Sequence, residues 1–166
     1  MASGESLAMW SAAAGIPPTT GYATLDVRNE HVVLDFDKDT NESAYFAGVL
    51  PRNYEGGDLV FRVEFMTSTT SGNGVVWAAT LERHQPGVDD FDANNFGTTV
   101  TGSANESTTS GVASVATLTI SAAQAGTPEP GESFRLKLIR DASGAFVGGD
   151  NCLSDAELIS IELREA

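Results

Sequence analysis

Apolar and polar positions alternate with a period of two along most of the chain. In DLVFRVEFM, residues 58–66, Leu59, Phe61, Val63 and Phe65 fall on one side, and Val60, Arg62, Glu64 and Met66 on the other. Successive side chains of an extended strand point to opposite faces, so this beat predicts a strand with one face buried. The same reading gives strands around Val32, Leu34 and Phe36, around Val75, Trp77, Ala79 and Leu81, over residues 112–120, around Phe134, Leu136 and Leu138, and around Ile159, Ile161 and Leu163. Fainter ones lie at 22–27, 44–50 and 97–102. Turn-forming clusters separate them, at Asn53 to Asp58, Thr67 to Gly74, Asn105 to Gly111 and Thr127 to Gly131. A spacing of roughly 8 to 15 residues with no long helical period predicts an all-β fold, an antiparallel two-sheet β-sandwich of about eight or nine strands, jelly-roll-like. An immunoglobulin-type sandwich is the alternative, and short helical turns are expected only near 92–96 and 121–125.

Residues 1–21 break the pattern. They are rich in Ala, Ser and Gly, yet carry Leu7, Met9, Trp10 and Ile16 before Pro17 and Pro18. They predict an extended N-terminal arm, with 22–166 as the sandwich domain. Burying each large apolar side chain gains about 1.5–3 kcal/mol, so the arm either docks on a neighbouring subunit or folds back over its own sandwich.

Composition narrows the partners. At 166 residues one domain is expected, and no apolar run approaches the roughly 20 residues of a membrane span. The single Cys152 rules out an intrachain disulfide and a multi-cysteine zinc site. A formal net charge of −14 opposes binding to nucleic acid or to an anionic membrane. That leaves neutral or basic protein surfaces, cations and neutral glycans, or an acidity that serves solubility alone. No Lys or Arg precedes Arg28, so the positive leading region of a secretory signal is missing and synthesis in the cytoplasm without export by that route is expected.

The stretch GVVWAATLERHQPGVDDFDANNF, residues 74–96, concentrates candidate chemistry. Asp90, Asp92 and Asn94, like Asp35, Asp37 and Asp39, show the alternating oxygens of a calcium loop, but the Gly and Glu that such a loop requires farther on are Asn95 and Thr101 in one case, Thr40 and Phe46 in the other. Short Asp/Asn clusters of this kind form turns, so no metal or other cofactor is expected. Glu82 and His84 share the face opposite Trp77 and Leu81 and read as a solvated or subunit-facing pair, while Trp77 reads as core. Paired carboxylates are unspecific among 23 acidic residues, and neither a nucleophile elbow nor a phosphate loop occurs. No enzyme is expected. Tyr22, Tyr45 and Tyr54 are candidates for a ligand surface that nothing in the sequence clusters.

The succession LDFD, ESAYFAGVLPRNYEGGDLVFRVEFM, TSGNGVVWAATLER, TSGVASVATLTIS, GESFRLKLIRDA and DAELISIELRE, over about residues 32–164, resembles a group of tailed-bacteriophage virion proteins. It departs before the last strand, where GGDNCLSDAE lacks a Thr-Gly-Asp run and carries Cys152. The resemblance implies a capsid decoration (cement) protein: a homotrimer on the capsid exterior of the virion, binding the major capsid protein at subunit junctions, with no catalytic residues. Attachment would then use Leu7, Met9, Trp10 and Ile16 of the arm together with Arg52 and Tyr54 of the 51–58 loop. The rivals are a carbohydrate- or receptor-binding sandwich module of a phage tail or fibre, and a jelly-roll hydrolase.

Overall fold

The computed structural model describes residues 5–166. Ten strands occupy them: β1 (Ser6–Ser11), β2 (Thr24–Arg28), β3 (His31–Phe36), β4 (Ser43–Val49), β5 (Leu59–Thr67), β6 (Gly74–His84), β7 (Val100–Asn105), β8 (Ser114–Ile120), β9 (Ser133–Arg140) and β10 (Ala156–Glu165). One sheet runs β2-β3-β10-β5-β8, with β1 also paired to β10; the other runs β4-β9-β6-β7. All the strand pairs are antiparallel. Each strand predicted from the two-residue beat is present, shifted at its ends by a few residues. The alternation works because the two sheets bury one side of each strand against each other. Phe61, Val63 and Phe65 of one sheet thus share a core with Trp77, Leu81, Leu136 and Leu138 of the other. Trp77 lies at its centre, its ring 5.0 Å from that of Phe36 and 5.6 Å from that of Phe65, both near edge-on.

The N-terminal segment takes the second of its two expected courses and folds back over its own sandwich. Residues 6–11 are not an extended arm but strand β1, in register with Ser160 to Arg164 of β10. The reason is an incomplete edge: β3 covers only Ala156 to Leu158 on that side of β10, and the bare peptide groups beyond need partners. Trp10 supplies the second drive. Its ring packs against Phe46 and Phe134, and its Nε1 donates to the Ala47 carbonyl at 2.9 Å. A single 3-10 turn, Ala12–Ala14, then carries the chain across to the other sheet, where Ile16 and Tyr45 exchange two backbone hydrogen bonds of 2.9 Å. Gly15 makes the crossing possible, because a Cβ there would lie 2.8 Å from a Leu34 methyl. Of the two expected helical turns, 121–125 is an unextended turn closed by the Ala125 amide on the Ser121 carbonyl, and 92–96 is loop.

On the outside of the first sheet, Asp35 sits in register between Thr24 of β2 and Glu157 of β10. Burial, and then the charges of Asp155, Glu157, Asp26 and Glu42, push its carboxyl up to about 6, and its Oδ1 has no hydrogen-bond partner. The folded chain therefore holds this proton more tightly than the unfolded chain does. Its contribution favours folding at low pH and is lost as pH rises through about 6. Asp35→Asn should raise stability at pH 7.5 by about 1–2 kcal/mol, a figure discounted because the group is only half-buried, and should do little below about pH 4. Thermal melts of both proteins across that range check it.

Candidate functional site

At one end of the β4-β9-β6-β7 sheet, the 68–73 loop and the long loop between β9 and β10 meet the edge strand β7. They enclose an open cleft of about 510 Å3, lined by Asn73, Asn105 and Asn151, by Thr101 and Ser103, by Val76 and Val147, and by the backbone of Gly72, Gly74, Gly102, Gly148 and Gly149. None of these is charged, in a chain of net charge −14. Phe146, next to Val147, is 47% exposed.

Three buried acids explain how so acidic a chain keeps this cleft neutral. Glu106, just beyond β7, accepts hydrogen bonds from the Thr67 and Thr69 hydroxyls, the Cys152 thiol, and the Ser71 and Asn73 amides. Burial raises its carboxyl, but the hydroxyls of Thr69 and Thr67, with Cys152 and Asn73, outweigh that and hold it below the ordinary glutamate range. Asp141, at the end of β9, accepts the Ala145, Phe146 and Val147 amides at 2.7 to 3.0 Å and so shapes the apolar rim. Asp150 pairs with the fully buried Arg140, whose Nε and Nη2 each reach a carboxylate oxygen at 3.1 Å; the same carboxylate accepts from the Val76 and Cys152 amides. Each acid turns inward to hold a loop, and the loops turn carboxamides, hydroxyls and glycine backbone outward. Asn151 is fixed by a reciprocal pair with Gly74: its Oδ1 accepts the Gly74 amide at 2.7 Å, and its own amide donates to the Gly74 carbonyl at 3.0 Å. Its Nδ2 remains available to a ligand.

The outer face of the same sheet carries the residues first singled out at 82–96. Glu82 and His84 are not solvated. Glu82 is 1% exposed and accepts from Arg135 Nε at 3.0 Å, Arg135 Nη2 at 2.6 Å and the Asn95 amide at 2.6 Å, with His84 Nε2 at 3.4 Å. The 85–99 loop folds back over them, with Phe91 stacked on His84 at 4.2 Å and Phe96 stacked on Tyr45 at 5.9 Å beside the Arg135 guanidinium. Both carboxylate oxygens of Glu82 are thus engaged, Oε1 by the Asn95 amide of the loop and Oε2 by Arg135.

The other sequence candidates scatter. Leu7 and Trp10 pack on the core and Tyr54 is buried, its hydroxyl donating to the Gly57 carbonyl at 2.6 Å. Met9 at 74% and Ile16 at 51% are exposed on different faces, and Arg52 is exposed near Gly131. Asp90 and Asp37 bond the amides of Asp92, and of Asp39 and Thr40, in turns. Among the described residues no three His, Cys, Asp or Glu are placed to hold a metal ion. The cleft asparagines were legible only as turn formers.

No protein-family model and no curated protein matches the chain. Solved structures do. The chain is similar to CsCBM6-3 from Clostridium stercorarium in complex with cellobiose, with TM-score 0.55 and 6% identity over 96% of this chain and 95% of that one. A CBM35 from Cellvibrio japonicus matches with TM-score 0.54 and 10% identity over 94% and 92%. Arthrobacter globiformis T6 isomalto-dextranase complexed with panose matches with TM-score 0.58 and 18% identity, this chain covering 93% of itself but 22% of the dextranase. At these identities the likeness establishes the fold: a two-sheet sandwich of the kind found in carbohydrate-binding modules, and so the jelly-roll form over the immunoglobulin one. The resemblance to phage virion proteins has no counterpart in these structures.

Proposed function

We propose that the chain is a non-catalytic carbohydrate-binding module whose ligand, a neutral glycan, lies in the cleft between Asn73, Asn105 and Asn151. One observation carries the reading: a strongly acidic protein has turned its acids away from a 510 Å3 cleft and filled the lining with uncharged donors and acceptors. A sugar presents hydroxyls that both donate and accept, and a carboxamide answers both with one group. An uncharged lining also avoids the cost of desolvating a charge, which a neutral ligand offsets only where its hydroxyls replace the lost water. The glycines let the ligand approach the backbone, and exposed Phe146 and Val147 offer an apolar edge to the C–H face of a pyranose ring. The fold's likeness to modules and enzymes crystallised with cellobiose or panose supports the same choice.

Titration calorimetry against cellobiose, panose and an array of longer neutral oligosaccharides tests it. Asn73→Ala with Asn105→Ala should weaken binding at least roughly tenfold, about 1.4 kcal/mol, without moving the melting temperature, because neither side chain holds a loop. Absence of binding to any neutral glycan at millimolar concentration would remove the reading. The capsid-decorating role draws on the sequence resemblance and on exposed Met9 and Ile16. It would place a homotrimer on a major capsid protein, and hundreds of copies spread over a particle would decide for it.

A further inference from the structure

We infer a second saccharide site at the opposite end of the sandwich, so that a single chain holds two glycans at once; this rests on the carbohydrate-binding reading above. Where β6 runs out, the 89–98 loop and the 121–126 turn bound a cleft of about 520 Å3, as large as the first, lined by Arg83, Asp89, Asn95, Phe96, Thr98 and Gln124. Their bonding leaves a mixed set of groups pointing at a ligand. Asp89 gives Oδ2 to the Gln85 amide and keeps Oδ1. Asn95 uses its backbone amide on Glu82 and keeps its carboxamide. Gln124 accepts the Ser121 amide on Oε1 and keeps Nε2. Arg83 is held against the Thr127 carbonyl and Gln85, with Glu132 at 3.6 Å, so its guanidinium is presented in a fixed pose. A carboxylate oxygen that can accept from adjacent hydroxyls, two amide donors, a fixed guanidinium and the half-buried Phe96 ring make the set that a pyranose residue satisfies with its polar rim and apolar face.

The geometry of β6 separates the two sites. Gly74 lines the first cleft and Arg83 the second, nine residues apart on one strand, or about 30 Å at the rise of an antiparallel strand. A short oligosaccharide cannot span that distance, so two molecules bind. On a polymer, two sites convert the second contact on a neighbouring chain into a local event and cross-link the glycan.

The test is the stoichiometry of the whole chain with whichever oligosaccharide of the array binds. Wild type should take two per chain. Ala123→Trp, which fills the second cleft from an exposed position without removing a structural contact, should leave one, as should Ser103→Trp in the first; the double variant should take none. Asp89→Asn keeps the acceptor for Gln85 and should weaken the second site alone, which guards against misfolding of the bulky variant. Wild type should also agglutinate the soluble polysaccharide, and neither single variant should. A stoichiometry of one in wild type overturns the second site while leaving glycan binding intact; no binding at all overturns the proposed function itself.

Discussion

Arg140→Met should cost about 3–5 kcal/mol of folding stability, a large part of the roughly 5–15 kcal/mol that holds a domain of this size. The guanidinium is fully buried and makes four contacts: two to Asp150, one to the Phe36 carbonyl at 3.1 Å and one to the Ser154 carbonyl at 2.9 Å. Methionine fills similar volume but leaves the Asp150 carboxylate as a buried, uncompensated charge and two carbonyls without donors. The damage will not stay local. Arg140 ties the end of β9 to β3 through Phe36 and to the loop before β10 through Ser154, and Asp150 carries the Val76 and Cys152 amides beside the cleft. Denaturant midpoints would give the loss, and glycan titration on the folded fraction should show weakened binding as well. Asp150→Asn is the informative companion: it leaves the guanidinium as the uncompensated buried charge and turns a carboxamide NH2 toward two donors the carboxylate had accepted, so it should cost a comparable amount. A loss under about 1 kcal/mol for Arg140→Met would mean that water, rather than Asp150, satisfies the guanidinium in solution.

The sandwich was legible because its strands are half-buried: Leu59, Phe61, Val63 and Phe65 could be assigned to one face before any partner strand was known. Strand β1 was not, because SLAMWS has no clean alternation, and what recruits it is the unpaired edge of β10 more than 140 residues away. The charged core was hidden for a different reason. Arg, Asp and Glu are almost never fully buried unless paired, so Glu106, Asp141, Asp150 and Arg140 read locally as exposed, and their partners lie in other loops. Glu82 and His84 were placed on the correct face, but nothing in a two-residue period shows that a later loop returns to cover it; two Phe in the polar FDANNF run were the available hint. The cleft combines positions 73 and 151 from two loops with position 105 at the end of β7, and only the sheet order brings them together.

Gly102→Ala should lower stability by about 2–3 kcal/mol, or roughly 5–10 °C in melting temperature, although the substitution adds one methyl to a strand that is half exposed. Gly102 lies on β7 opposite Trp77, at the edge where the two sheets close on each other. A Cβ there would stand 2.3 Å from the Thr117 carbonyl oxygen of β8 and 3.0 Å from Leu118 Cγ. Real carbon–oxygen contacts do not reach that distance, so something must move, and the nearest neighbour is backbone held in the sheet: β7 is hydrogen-bonded to β6, and Thr117 is paired with Arg62 of β5. The cheapest relief is for β7 to peel away from β8, which opens the core edge over Leu118 and shifts Thr101, Ser103 and Asn105 out of the cleft. Stability and glycan affinity should therefore fall together. Gly148→Ala, in the same cleft lining but with open space around its missing Cβ and no positive φ, should change stability by less than about 0.5 kcal/mol. If both alanine variants melt with wild type, the close approach of β7 to β8 is not a feature of the folded protein, and the cleft built on β7 would have to be redrawn with it.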